Sequence, residues 1–106
     1  MHHIHDVDPY TLKNWLDRDE AVLIDVREDV EHAQEAIPGA IRAPLSRFNP
    51  GEFHRCDKPA VFHCATGRRT QIAASLFHQT GCPQVFHLRG GIFAWKMAGL
   101  PVKRGV

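Results

Sequence analysis

A chain of 106 residues, 43% hydrophobic and 24% charged, is long enough for one hydrophobic core, and its balance excludes a disordered or membrane-spanning class. A net charge of +1, with His neutral, offers no global field for a nucleic acid, and no apolar run is long enough to cross a bilayer. The start of the chain has no apolar signal region, and the cysteines at positions 56, 64 and 82 lack zinc-ligand spacing. One domain over residues 1–106 is therefore expected, in the reducing cytoplasm, with no metal, no cofactor and no membrane or nucleic-acid partner.

Eight histidines are many for this length, and His2, His3 and His5 crowd the start without a second cluster at ligand spacing. His5 also fits a short strand with Ile4 and Val7. Asp8-Pro9 then opens a helix, with Asp as the cap and Pro at the first helical position. Leu12, Trp15 and Leu16 recur at helical spacing and predict a stripe facing a core, fading around Arg18 to Glu20. Ala21 to Arg27 reads as a strand whose near-continuous apolar start is typical of parallel sheets covered on both faces. Asp25 and Arg27 break that run only at its end, where they are expected to brace the sheet edge as an ion pair or hydrogen-bond pair.

Asp29 to Ala36 predicts a short helix, Pro38-Gly39 a turn, and Ala40 to Ala43 a brief strand ended by Pro44. Ser46 is a candidate cap for one helical turn, stopped by Asn49-Pro50-Gly51. Leu45 to Lys58, which holds Cys56, has the least regular pattern. Ala60 to Phe62 is a buried strand, and Ile72, Ala73, Leu76 and Phe77 predict one face of a helix that stops at Gly81. Cys64 lies between this strand and this helix, with Gly67, Arg68 and Arg69 in the same turn. Free amides at a helix start, the helix dipole and two arginines favour an anion there, the setting that makes a cysteine a nucleophile. His63 precedes Cys64, but neighbouring strand residues point to opposite faces, so a Cys–His dyad is not expected. Gln84 to Leu88 is a further strand, Arg89-Gly90-Gly91 a sharp turn, and Ile92 to Met97 a last helix ended by Gly99. Strands alternating with helices predict an α/β domain whose mostly parallel sheet carries helices on both faces. Ligand sites in such sheets lie beyond the strands' carboxyl ends, which places Asp25, Arg27, Cys64, Gly90 and Gly91 on one rim.

Three segments in this order resemble the rhodanese-like family, in particular its short bacterial single-domain sulfurtransferases. They are Leu23 to Arg27 with Ile37-Pro38-Gly39-Ala40, then Cys64 to Thr70, then Gly90 to Trp95 with Gly99 to Val102. The family's loop pattern of Cys, Gly, Arg and Ser or Thr falls on Cys64, Gly67, Arg69 and Thr70. The resemblance implies a persulfide on Cys64, drawn from thiosulfate or a related small anionic donor and passed to cyanide, a thiol or a protein acceptor. Amides from Ala65, Thr66, Gly67, Arg68, Arg69 and Thr70 would cradle the sulfur. Arg68 would meet the donor, and Arg69 would tie the loop closed through loop carbonyls or the Asp25 edge. One departure is Glu35-Ala36 where the family usually has Gly-His. Two other functions stay open. Cysteine phosphatases and arsenate reductases use a similar loop but place five residues between Cys and Arg, whereas four separate Cys64 from Arg69. A non-enzymatic sulfur carrier or interaction module is the third.

Overall fold

The computed structural model describes residues 4–49, 58–65, 68–78 and 85–104. Among the described residues there are five strands: β1 (His5–Val7), β2 (Val22–Asp25), β3 (Ile41–Arg42), β4 (Ala60–His63) and β5 (Val85–Leu88). They form one sheet in the order β1-β5-β4-β2-β3, every pair parallel. Parallel neighbours need crossovers, and four helices supply them: α1 (Pro9–Asp17), α2 (Asp29–Gln34), α3 (Arg68–His78) and α4 (Gly91–Met97). The predicted α/β class with helices on both faces is the observed one. Expectations placed on His2, His3, Cys56, Thr66, Gly67, Gly81 and Cys82 lie outside the described residues.

Local chemistry accounts for the boundaries. The Asp8 carboxylate accepts from the Thr11 amide at 2.9 Å and from its hydroxyl at 2.7 Å, and Pro9 stands in the first turn, as the sequence predicts. Leu12 is fully buried, with Trp15 and Leu16 packed beside it. α2 opens with a reciprocal capping box between Glu28 and Glu31. The turn after Pro44 is 3-10 over Leu45–Arg47 and is capped at Pro44; Ser46 lies inside it and donates to Glu28 at 2.7 Å instead.

Two apolar layers cover the sheet. One contains Ile24, Val26, Phe62, Cys64 and Val85 against Ala73, Ala74 and Phe77 of α3. The other contains Leu23, Val61 and Leu88 against Leu12 of α1 and Ile92 and Trp95 of α4. β4 is buried along its whole length because both layers close on it. The ring of Phe62 meets Phe77 and Phe48 edge-on, with centroids 5.5 and 5.9 Å apart.

One expected face is corrected. Ile72 is 56% and Leu76 38% exposed, while Thr70, Ala73, Ala74 and Phe77 form the buried stripe at i, i+3, i+4 and i+7. Two alanines allow the helix to approach the sheet closely, and that rotation turns the larger residues outward. Phe77→Ala should therefore cost about 3–5 kcal/mol, whereas Ile72→Ser should stay within about 0.5 kcal/mol. Urea denaturation of both variants checks this, and equal losses would contradict the observed face.

Candidate active site at the carboxyl rim

Cys64 follows the last residue of β4 and is 1% exposed. Its carbonyl accepts from the Ile92 amide at 2.9 Å, and the Ala65 carbonyl accepts from the Phe93 amide at 3.3 Å. The start of α4 is thus fastened to the start of the cysteine loop. This approach requires glycine at position 91, where φ is +61° and a Cβ would stand 2.2 Å from the Cys64 oxygen and 2.6 Å from the Ala65 oxygen. Gly90, with φ of +76°, caps the same helix. The rim position expected for both glycines is where they lie.

On the opposite side of the loop, α3 begins at Arg68 and Arg69. Arg69 donates two parallel hydrogen bonds to Glu31 of α2, at 2.7 and 2.9 Å. Those bonds, with a smaller contribution from the nearby Cys64, hold its guanidinium firmly protonated. Glu31 is held down to about 2, chiefly by Arg69 and against the cost of its burial. The sequence reading expected loop carbonyls or the Asp25 edge as partners of Arg69; a carboxylate on another helix is the observed one. Arg68 is exposed and makes no ion pair with the described residues. Thr70 is fully buried where the loop joins the helix.

The Asp25 edge is a buried charged cluster. Arg27 grips Asp25 through Nε and Nη2 at 3.0 and 2.9 Å and donates from Nη2 to the Glu35 carbonyl at 2.7 Å. His32 Nδ1 adds a contact of 2.8 Å to Asp25, a partner that the sequence reading missed. Burial opposes ionisation of Asp25, but the Arg27 hydrogen bonds and the neighbouring imidazoles outweigh it and keep the carboxyl below its usual range. Asp25 and Arg27 are thus ion-paired at the rim. Ala36, at the family's usual His position, is buried and exchanges backbone hydrogen bonds with Lys103 at 2.7 and 2.9 Å.

His63 is fully buried on the Asp25 face, while Cys64 belongs to the α3 face, so the two side chains diverge. Neither ring nitrogen of His63 has a hydrogen-bond partner among the described residues; Asp25 Oδ2 stands 3.8 Å away. Burial pushes His63 down to about 4, so it is neutral at pH 7. A cleft of about 260 Å³ borders Ala65 on the α4 side, between Glu31, Gln34, Phe93 and the Lys96–Glu35 ion pair. A larger hollow of about 320 Å³, near Ala21, Pro38 and Lys58, lies at the strands' amino ends and holds none of the expected site residues.

Residues 8–98 match the model of the rhodanese-like domain. The chain belongs to the rhodanese-like family. It is 34% identical over 102 residues to a sulfurtransferase of Allochromatium vinosum, covering 93% of this chain and 94% of that protein. An uncharacterised Synechocystis protein is 38% identical over 94 residues, and there the match covers 88% of this chain but 52% of the relative. The crystal structure of a thiosulfate sulfurtransferase from Pseudomonas aeruginosa superposes with a TM-score of 0.85 at 27% identity, covering 98% of this chain and 21% of that one. The chain thus spans about half the length of the Synechocystis relative and a fifth of the Pseudomonas structure.

The rhodanese-like sheet buries one imidazole that must charge in acid. His63 is lowered from 6.5 to about 4, so the folded protein binds fewer protons than the unfolded chain between those values. Stability should fall as pH drops through that window, by about 2 kcal/mol between pH 6.5 and about pH 5. His63→Phe should lose much less over the same interval. Parallel urea titrations of the two proteins at several pH values check this; identical slopes would contradict it.

Proposed function

We propose that this chain is a sulfurtransferase that carries sulfane sulfur on Cys64. The observation that supports it most is the surroundings of that residue: a cysteine at a strand's carboxyl end, facing a helix start, touched by Arg69 and bordered by the uncommitted Arg68. The Cys64 thiolate attacks the outer sulfur of thiosulfate. A sulfur–sulfur bond forms to Cys64, the donor's sulfur–sulfur bond breaks, and its electron pair leaves with sulfite. Cyanide or a thiolate then attacks the outer sulfur of the persulfide, forming thiocyanate or a new persulfide and restoring the Cys64 thiolate. No external oxidant or reductant enters this balance.

Each neighbouring group has a part. The loop amides from Ala65 to Thr70 solvate the anionic sulfur, and Arg68 attracts the anionic donor. Arg69 is held in place by Glu31, so its charge reaches Cys64 without reorganising. The cleft beside Ala65 is the approach for an acceptor, small or carried on a protein. The reading places this chemistry in the cytoplasm, in one domain over residues 1–106. Phosphate chemistry is the less favoured reading, because a loop with four residues between Cys64 and Arg69 makes a smaller ring of amides.

Intact mass spectrometry tests the proposal. Thiosulfate should add one sulfur atom, cyanide should remove it as thiocyanate, and Cys64→Ser should do neither. Arg68→Ala should lower kcat/KM for thiosulfate roughly fivefold, because an exposed charge contact is worth about 1 kcal/mol. Normal turnover in Cys64→Ser, or Cys64-dependent aryl phosphate hydrolysis exceeding sulfur transfer, would overturn the assignment.

A further inference from the structure

The cleft beside Ala65 is lined by charge that is already spent. Among the described residues its charged side chains are Arg27, Glu31, Glu35 and Lys96. Arg27 pairs with Asp25 at 2.9 Å, Glu31 with Arg69 at 2.7 Å, and Glu35 with Lys96 at 2.6 Å. An entering ion finds no unmatched counter-charge there. The surface left open is apolar or neutral. Phe93 is 64% exposed, and Met97, one turn further along the same face of α4, is 74% exposed. Gln34 of α2 also lines the cleft, and its side-chain amide is uncommitted among the described residues.

That chemistry complements an uncharged peptide. An exposed aromatic ring and a methionine are the side chains that interfaces favour, and a primary amide both donates to and accepts from a peptide backbone. At about 260 Å³ the cleft falls below the roughly 300–1,000 Å³ of small-molecule pockets, a size that suits one side chain. Two links join it to the reactive residue. Ala65, on its border, follows Cys64 directly, and the Ala65 carbonyl accepts from the Phe93 amide at 3.3 Å. Glu31, also on its border, holds Arg69, which stands near Cys64.

We propose that this cleft seats a segment of an acceptor protein in which uncharged apolar side chains flank the cysteine that receives the sulfur, and that Phe93 selects for them. The acceptor thiol first gives its proton to solvent. Its thiolate then attacks the outer sulfur of the Cys64 persulfide. A sulfur–sulfur bond forms on the acceptor, the bond to Cys64 breaks, and its electron pair returns to the Cys64 thiolate. The transfer rests on the sulfurtransferase reading, whereas the seat rests on the charge pairing and the open apolar surface of the cleft.

Persulfide discharge from the full chain tests it. Protein loaded with thiosulfate and desalted is mixed with acetylated, amidated peptides Ala-Xaa-Cys-Xaa-Ala, where Xaa is Leu, Gly or Glu. Each rate is divided by the same peptide's rate toward hydroxyethyl disulfide, which removes differences in thiol acidity. The Leu peptide should discharge wild-type protein at least about tenfold faster than the other two. Phe93→Ser keeps the backbone amide and should bring that ratio close to one. Ile72→Ser, which removes an exposed apolar residue from α3, should keep it. Equal wild-type rates, a preference that survives in folded Phe93→Ser, or a Phe93→Ser loss shared evenly by all three peptides would overturn the proposal. A dimer in sedimentation that Phe93→Ser dissolves would assign the face to a second copy of the chain and overturn it as well. Should wild-type protein load no sulfur, the sulfurtransferase reading fails by itself. The seat is then read by amide NMR with the Leu peptide carrying Ser in place of Cys, which should shift the Phe93 and Lys96 signals more than its Gly counterpart does. Equal shifts would overturn the seat.

Discussion

The close approach of α4 to the Cys64 and Ala65 carbonyls is the constraint on which the rim depends. Two amides, from Ile92 and Phe93, replace the strand partners that β4 loses at its end, so the buried carbonyls after His63 stay satisfied. The same contact ends the strand, which leaves Cys64 before a helix start rather than in a fifth position of β4. No side chain fits between the two backbones, so the left-handed turn of Gly91 is a steric requirement as well as a conformational one.

Around that contact the protein spends charge unevenly. Asp25, Arg27 and His32 are buried together, and such a cluster stabilises only when every lone pair and proton is matched. Here the match is close: the Arg27 fork faces both Asp25 oxygens, its spare donor reaches the Glu35 carbonyl, and His32 takes the remaining carboxylate site. Glu31 works at the boundary between this brace and the loop, closing the α2 capping box and holding Arg69 at once. The brace therefore sets where α2 stands, and α2 sets where the arginine beside the cysteine stands. His63 is the exception, a neutral ring without a hydrogen-bond partner among the described residues.

Much of this was legible from the chain. Asp8-Pro9, the apolar runs ending at Asp25 and at Cys64, and the Arg89-Gly90-Gly91 turn depend on neighbours close in sequence, and local rules read them correctly. The parallel sheet followed from their alternation, and the shared rim followed from the sheet. What escaped was long-range or rotational. The Arg69–Glu31 pair spans 38 residues, and several acidic residues could have supplied the partner. The contacts of His87 with Asp6 and Thr70 join three elements whose adjacency exists only once β1 lies beside β5. Of the face expected for α3, Ala73 and Phe77 are buried, but the helix is rotated so that Thr70 and Ala74 complete the stripe. That rotation leaves Ile72 and Leu76 outside, a difference of one helical position that periodicity alone does not resolve.

The backbone contact at Gly91 fixes where the Cys64 and Ala65 carbonyls stand, a constraint beyond the conformational strain any side chain would suffer there. Gly39 supplies the control: its φ of +86° is as demanding as that of Gly91, but nothing lies within 4 Å of a Cβ built on it. Alanine at either site carries a left-handed penalty of about 1–2 kcal/mol, and only at position 91 must the cysteine loop also move. The decisive measurement is the rate of Cys64 persulfide formation from thiosulfate in Gly91→Ala and Gly39→Ala, both under conditions where circular dichroism shows them folded. The account predicts near wild-type loading in Gly39→Ala and a loss of at least about tenfold in Gly91→Ala, the effect of about 1.4 kcal/mol on the barrier. Equal loading rates in the two folded variants would contradict it.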